Sequence, residues 1–153
     1  MKQVFRELKL QQTSSTLERW RQAALPSRPS HGWIRAIREA LGMTSVALAK
    51  KLGMTDAGVR HLEKAERDEA ITLATLRKVA TALNCDVKYA LVPHQPLEQV
   101  LTQRAEQLAR ERVLPVAHSM ILEDQGVYRT ITDKQIQQLA KALLEGSRRE
   151  LWK

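Results

Sequence analysis

The side chains that could do chemistry gather in one run, Thr55-Asp56-Ala57-Gly58-Val59-Arg60-His61-Leu62-Glu63-Lys64. Wound as a helix, this run turns Thr55, Asp56, Ala57, Arg60, His61 and Lys64 outward. Together they offer donors, an acceptor and a methyl group, which are the complements of base edges and phosphates. Arg60 carries the forked donors for a bidentate contact with guanine O6 and N7, and Ala57 suits a thymine methyl. His61 can donate to a base or a phosphate, or it is a plain exposed helix histidine. Asp56 cannot face a phosphate favourably, so it either accepts from cytosine N4 or caps the helix and orients a basic neighbour. Ser45, Lys64, Arg67 and Lys50 are the expected phosphate contacts, although Lys50 and Lys51 also read as a solvated helix face.

Catalysis and metal binding find little support. His31, His61, His94 and His118 are separated from one another and from the lone Cys85, with no metal-ligand spacing. Cys85 reads as a buried strand residue and not as a nucleophile. The six glycines are scattered and form no phosphate-cradling loop. No enzyme activity, cofactor or metal is expected.

The reading residues need a scaffold, and Ser45–Lys64 describes one. Two short helices that meet steeply need a small residue at the closest approach, which Ala49 supplies. The turn needs a residue tolerant of positive φ, which Gly53 supplies four positions later. Leu48 and Leu52 fill the angle from one side and Val59 and Leu62 from the other, while Met54 closes the turn. Thr55 is placed to cap the second helix. This is the helix-turn-helix pattern. Trp33, Ile37 and Leu41 predict a helix ahead of it with those residues on one face. Leu73, Leu76, Val79, Ala80 and Leu83 predict one behind, with Asn84 as a left-handed cap.

The remainder divides around this core. Residues 1–24 read as an amphipathic helical arm, in one piece or two, with Thr13–Thr16 as the break and Ser15 or Thr16 as an N-cap. Residues 25–32 hold two prolines, two serines and a glycine, and read as a linker. Residues 33–84 are the helix-turn-helix domain. In 85–93, Val87, Tyr89 and Leu91 alternate at period two and predict a short strand ended by Pro93. Residues 96–145 form a helical extension for a dimer or partner contact, its last helix from about Thr132 with Asp133 at the N-terminus; residues 146–153 are a tail. The fold class is all-α with one short β-strand.

Composition agrees with a polyanion partner. The 153 residues carry 25 Lys+Arg against 17 Asp+Glu, a net charge of +8. Six basic and two acidic residues fall in 1–30, ten and seven in 31–94, and nine and eight in 95–153. Such a surface attracts phosphates through counterion release, or simply aids solubility. Aromatics at 4% are too few for a single-strand stacking platform. No apolar run approaches the ~18–20 residues of a membrane span, and a single cysteine suits a reducing compartment. A cytoplasmic protein is expected.

Residues 33–84 resemble the lambda-repressor-like, Cro-type helix-turn-helix family. Two positions depart from its pattern: Ser45 and Asp56 stand where glutamines are common. The resemblance implies sequence-specific duplex DNA binding, with the second motif helix in the major groove of an operator, as a two-fold dimer. A wider resemblance rests on Met1-Lys2-Gln3-Val4-Phe5-Arg6-Glu7-Leu8, Gly32-Trp33-Ile34-Arg35-Ala36-Ile37-Arg38-Glu39-Ala40-Leu41-Gly42-Met43, Tyr89-Ala90-Leu91-Val92-Pro93 and His118-Ser119-Met120. These stretches are similar to the bacterial family called mobile mystery protein A. That similarity implies an antitoxin-like autorepressor of an operon shared with a Fic/Doc-type partner. A protein-binding antitoxin that neutralises the partner directly is the alternative. The inhibitory pattern for that role, Ser/Thr-x₃-Glu-Gly/Asn, is only approached, at Ser14–Arg19, Ser119–Asp124 and Lys141–Gly146.

Overall fold

The structure is a computed structural model and describes residues 1–118 and 125–153. The described residues form α1 (Lys2–Ala23), α2 (Trp33–Ala40), α3 (Ser45–Leu52), α4 (Asp56–Arg67), α5 (Leu73–Ala82), α6 (Leu97–His118) and α7 (Gln125–Glu145). A 3₁₀ turn, Arg148–Trp152, closes the chain. They divide into two compact units, residues 24–90 and residues 1–23 with 91–153. The near-match Ser119–Asp124 and the Ser119-Met120 of the wider resemblance lie outside the described residues.

In the first unit α2–α5 enclose a core of Ile34, Leu48, Ala49, Val59, Val79 and Leu83. Three threonines start three of its helices in the same way. Thr44, Thr55 and Thr72 each accept a backbone N–H at 3.1 Å, from Ala47, Gly58 and Thr75. Each bond satisfies one of the donors that a helix N-terminus leaves unpaired. Asn84 ends the run after α5 at φ 56, and the next N–H, of Cys85, reaches back to the Ala80 carbonyl at 2.8 Å. The inward residue of α2 is Ile34, with Ile37 packed beside it. Trp33 and Leu41, predicted to share the inner face, are 48% and 62% exposed. The apolar spacing of this short helix fits two faces, and the packing partners select the one carrying Ile34.

The predicted strand over 85–93 does not form, and the described residues contain no strand at all. Period-two alternation asks only for an extended backbone. A strand also needs a neighbour to receive its N–H and C=O groups, and among the described residues no other extended segment pairs with this one. Instead Cys85–Lys88 lies against α2 and α5, where with Trp33, Ile37 and Leu76 it lines a cavity of about 400 Å³. Tyr89 lies under the Arg77 guanidinium, 5.9 Å from ring centroid to charge.

The second unit is built on α6 and α7. Ala105 and Ala109 are fully buried, so the helices can approach closely, and Ile136, Ala140 and Leu143 fill the seam. The helix α7 starts at Gln125 and not near Thr132, which leaves Asp133 inside it and exposed. Pro115 lies inside α6, where it removes one helical N–H. The helix α1 is continuous through Thr13–Thr16. Thr16 does not cap there, because its hydroxyl donates to the Gln12 carbonyl at 2.9 Å, four residues back along the same helix. No residue of α1 is buried, and polar contacts hold it: Arg6 to the Gly146 carbonyl (3.0 Å), Ser14 to Glu98 (2.7 Å) and Glu7 with Arg148.

The tail, too, is packed. Leu151 is fully buried, and its carbonyl accepts from Arg104 Nε at 2.6 Å. Leu151→Ala is expected to destabilise this unit by about 2–5 kcal/mol, the usual range for such a core truncation. The check is a lower urea midpoint for the loss of helical circular dichroism.

Candidate nucleic-acid interface

The residues from Thr44 to Arg67 build the site. Helix α3 ends at Gly53, whose φ of 66° reverses the chain, and the Met54 N–H closes the turn on the Ala49 carbonyl at 3.0 Å. A side chain other than glycine would be strained in that left-handed conformation. Leu48, Ala49 and Val59 are buried at the angle, with Leu52 and Leu62 packed against them. Met54 closes over Gly58, where a Cβ would meet Met54 Cε at 2.8 Å and Thr55 Oγ1 at 3.3 Å. Gly58 therefore admits a tight turn from inside the protein, besides keeping the outer surface of α4 slim.

Helix α4 has two faces of opposite character. Val59, Glu63 and Glu66 form its buried side, while Ala57, Arg60, His61 and Lys64 are exposed, with Thr55 exposed just ahead of them. The Arg60 side chain is 72% exposed, and its Nη2 donates to Asp56 Oδ2 at 2.6 Å. Asp56 is half-buried. Ser45 is the first residue of α3 and half-buried, one position after the cap Thr44. Lys50 and Lys51 are exposed. Arg67 turns to Asp68, 3.3 Å away.

The buried glutamates were not singled out from the sequence. Glu63 accepts from Arg38 of α2 at 2.5 and 3.3 Å, and the same guanidinium donates to the Met43 carbonyl at 3.0 Å. The Glu63 carboxylate, by its hydrogen bond, raises the Arg38 pKa against the opposing effect of burial. Glu66 caps α2: its two oxygens accept from the Trp33 and Ile34 N–H groups at 2.8 and 2.9 Å. A carboxylate at a helix N-terminus also meets the positive end of the helix dipole. Gly32 makes room for it, since at φ 90 a Cβ would lie 2.7 Å from Glu66 Oε2. Arg28, from the linker, donates to the Glu66 and Arg67 carbonyls at 3.3 and 3.1 Å and so closes the C-terminus of α4. One signal could have revealed the glutamates: Val59, Glu63 and Glu66 share a stripe at i, i+4, i+7, so a helix with Val59 inside must bury both acids.

Comparison with known proteins bears on this segment. Residues 34–89 match the helix-turn-helix family HTH_3. Residues 34–89 are a helix-turn-helix domain. The match suggests DNA-binding transcriptional regulation as its class of function. Neither the comparison with curated proteins nor that with solved structures found a match. The helix-turn-helix domain spans α2 to α5 and the first residues after them, with α3 and α4 as its two motif helices. No helix among the described residues is long and apolar enough to cross a membrane. Outside the domain, Glu18 of the near-match in α1 is engaged within its own helix by Arg21 (2.7 and 2.8 Å) and Gln22 (3.1 Å).

The cap sets a stability prediction for the helix-turn-helix domain. Glu66→Gln replaces one of two buried acceptors with a donor facing an N–H group. It is expected to cost about 1–3 kcal/mol, seen as a lower urea midpoint. Gly32→Ala should destabilise in the same direction, through crowding of the same carboxylate and a strained φ.

Proposed function

We propose that the protein is a sequence-specific regulator that lays α4 in the major groove of duplex DNA. The observation that carries this reading is the division of α4. Its inner side is tied down by Val59, Glu63 and Glu66, which leaves Thr55, Asp56, Ala57, Arg60 and His61 at the outward N-terminal end, where a recognition helix reads bases. Lys64 and Arg67 near its end, with Ser45 and Lys50 on α3, are assigned to phosphates on either side of the groove. The match of 34–89 to a DNA-binding family supports the assignment.

One such helix covers few base pairs. A two-fold dimer reading half-sites about 10–10.5 bp apart is the arrangement we assign. The resemblance to mobile mystery protein A extends the reading to an autorepressor of an operon shared with a Fic-type partner. That extension rests on the similarity alone. Footprinting upstream of the gene, with and without the neighbouring Fic-type protein, tests it, and sedimentation at micromolar concentration tests the dimer.

The two kinds of contact separate in binding experiments. Arg60→Ala is expected to lose discrimination between the selected site and random duplex, worth about 1–3 kcal/mol. Lys64→Ala is expected to weaken both alike and to flatten the slope of log K against log salt by about 0.9 per lost phosphate. Fluorescence anisotropy over a salt series measures both. Equal effects of the two substitutions on specific and random duplex would refute the division of roles.

A further inference from the structure

We propose that Asp56 is a positioning residue that holds Arg60 as a guanine reader. The proposal rests on α4 being the recognition helix, and it names the base and the device that selects it. Two observations carry it. Asp56 Oδ2 takes the Arg60 Nη2 donor at 2.6 Å, one helical turn away, on the outer side of α4. Asp56 Oδ1 is buried and has no hydrogen-bond partner among the described residues, so that oxygen is turned away from any base.

This arrangement separates the two roles open to Asp56. A carboxylate with one oxygen buried and the other engaged by arginine is poorly placed to accept from cytosine N4. It is well placed to hold a long side chain in one direction. An arginine has five N–H donors, and one bond to Asp56 leaves enough for the two that guanine O6 and N7 require. Holding the side chain beforehand reduces the ordering cost on binding. The same pairing discourages capture by phosphate, because the negative partner travels with the guanidinium. Asp56 therefore favours selectivity over general affinity.

The test is selection of duplex sites from a random library by the full chain, as wild type and as Asp56→Asn, Arg60→Ala and Arg60→Lys. The wild type is expected to select a site with a strongly preferred guanine, and both Arg60 variants to lose that preference. Asp56→Asn is expected to lose about tenfold at the same guanine, to keep its other base preferences, and to bind random duplex as tightly as wild type or more so. An unchanged guanine preference in Asp56→Asn would overturn the proposal, and so would a preference lost at a cytosine. An even loss over all positions, or a loss of helical circular dichroism in that variant, would place the pair in stability and overturn it as well. If the wild type itself selects no sequence, the recognition-helix reading fails together with this one.

Discussion

Two backbone N–H groups at the start of α2 and one guanidinium in its last turn are all held by carboxylates of a single neighbouring helix. Glu66 takes the N–H groups of Trp33 and Ile34, and Glu63 takes Arg38. The rest of the helix-turn-helix domain depends on this back side. With both ends of α2 fastened to α4, the inward side of α4 has one orientation, and its outer side is determined by the remaining rotation of the helix. A buried ion pair is seldom a net source of stability, because desolvation cancels most of the attraction. Its consequence here is geometric. With Arg38 and Glu63 13% and 10% exposed, neither charge can move without leaving the other unpaired in the interior.

The same logic sorts the basic residues. Arg28 serves the end of α4, Arg6 serves Gly146, and Arg104 serves Leu151, each donating to main-chain carbonyls. These charges close helices and tails and are partly spent within the molecule. Arg60, Lys64, Lys50 and Lys51 remain on the open surface of the helix-turn-helix domain. Exposed pairs such as Arg35–Glu39 contribute little to stability. The net charge of +8 therefore counts many charges that are engaged within the molecule, Arg60 with Asp56 among them.

Local chemistry was the legible part. Gly53 at its positive φ, Thr55 as a cap, the buried Leu48, Ala49 and Val59, and Asn84 after α5 all follow from spacing and conformational preference within a few residues. The helix boundaries and faces were less so. Thr13–Thr16 looks like an interruption, yet Thr16 bonds within the helix and α1 runs on. Val87, Tyr89 and Leu91 alternate like a strand, yet no partner edge exists among the described residues. Trp33 and Leu41 looked internal, yet Ile34 is the residue that enters the core. In each case the pattern allowed two outcomes: a bond within α1, the lack of a pairing edge among the described residues and the packing around Ile34 selected one.

The sequence by itself determined the helix-turn-helix: the turn, its caps and the apolar wedge are short-range consequences of residue type, and they already place Arg60, His61 and Lys64 on the open side of α4. Only the tertiary structure decided how those side chains are held. Arg28 meets the Glu66 and Arg67 carbonyls, Trp33 meets Glu66 and Arg38 meets Glu63, across 25 to 39 positions of chain. Asp56 and Arg60, four residues apart, pair at 2.6 Å while the other Asp56 oxygen is buried. Spacing reveals which residues can share a face. The direction a charged side chain takes on that face depends on what lies behind it.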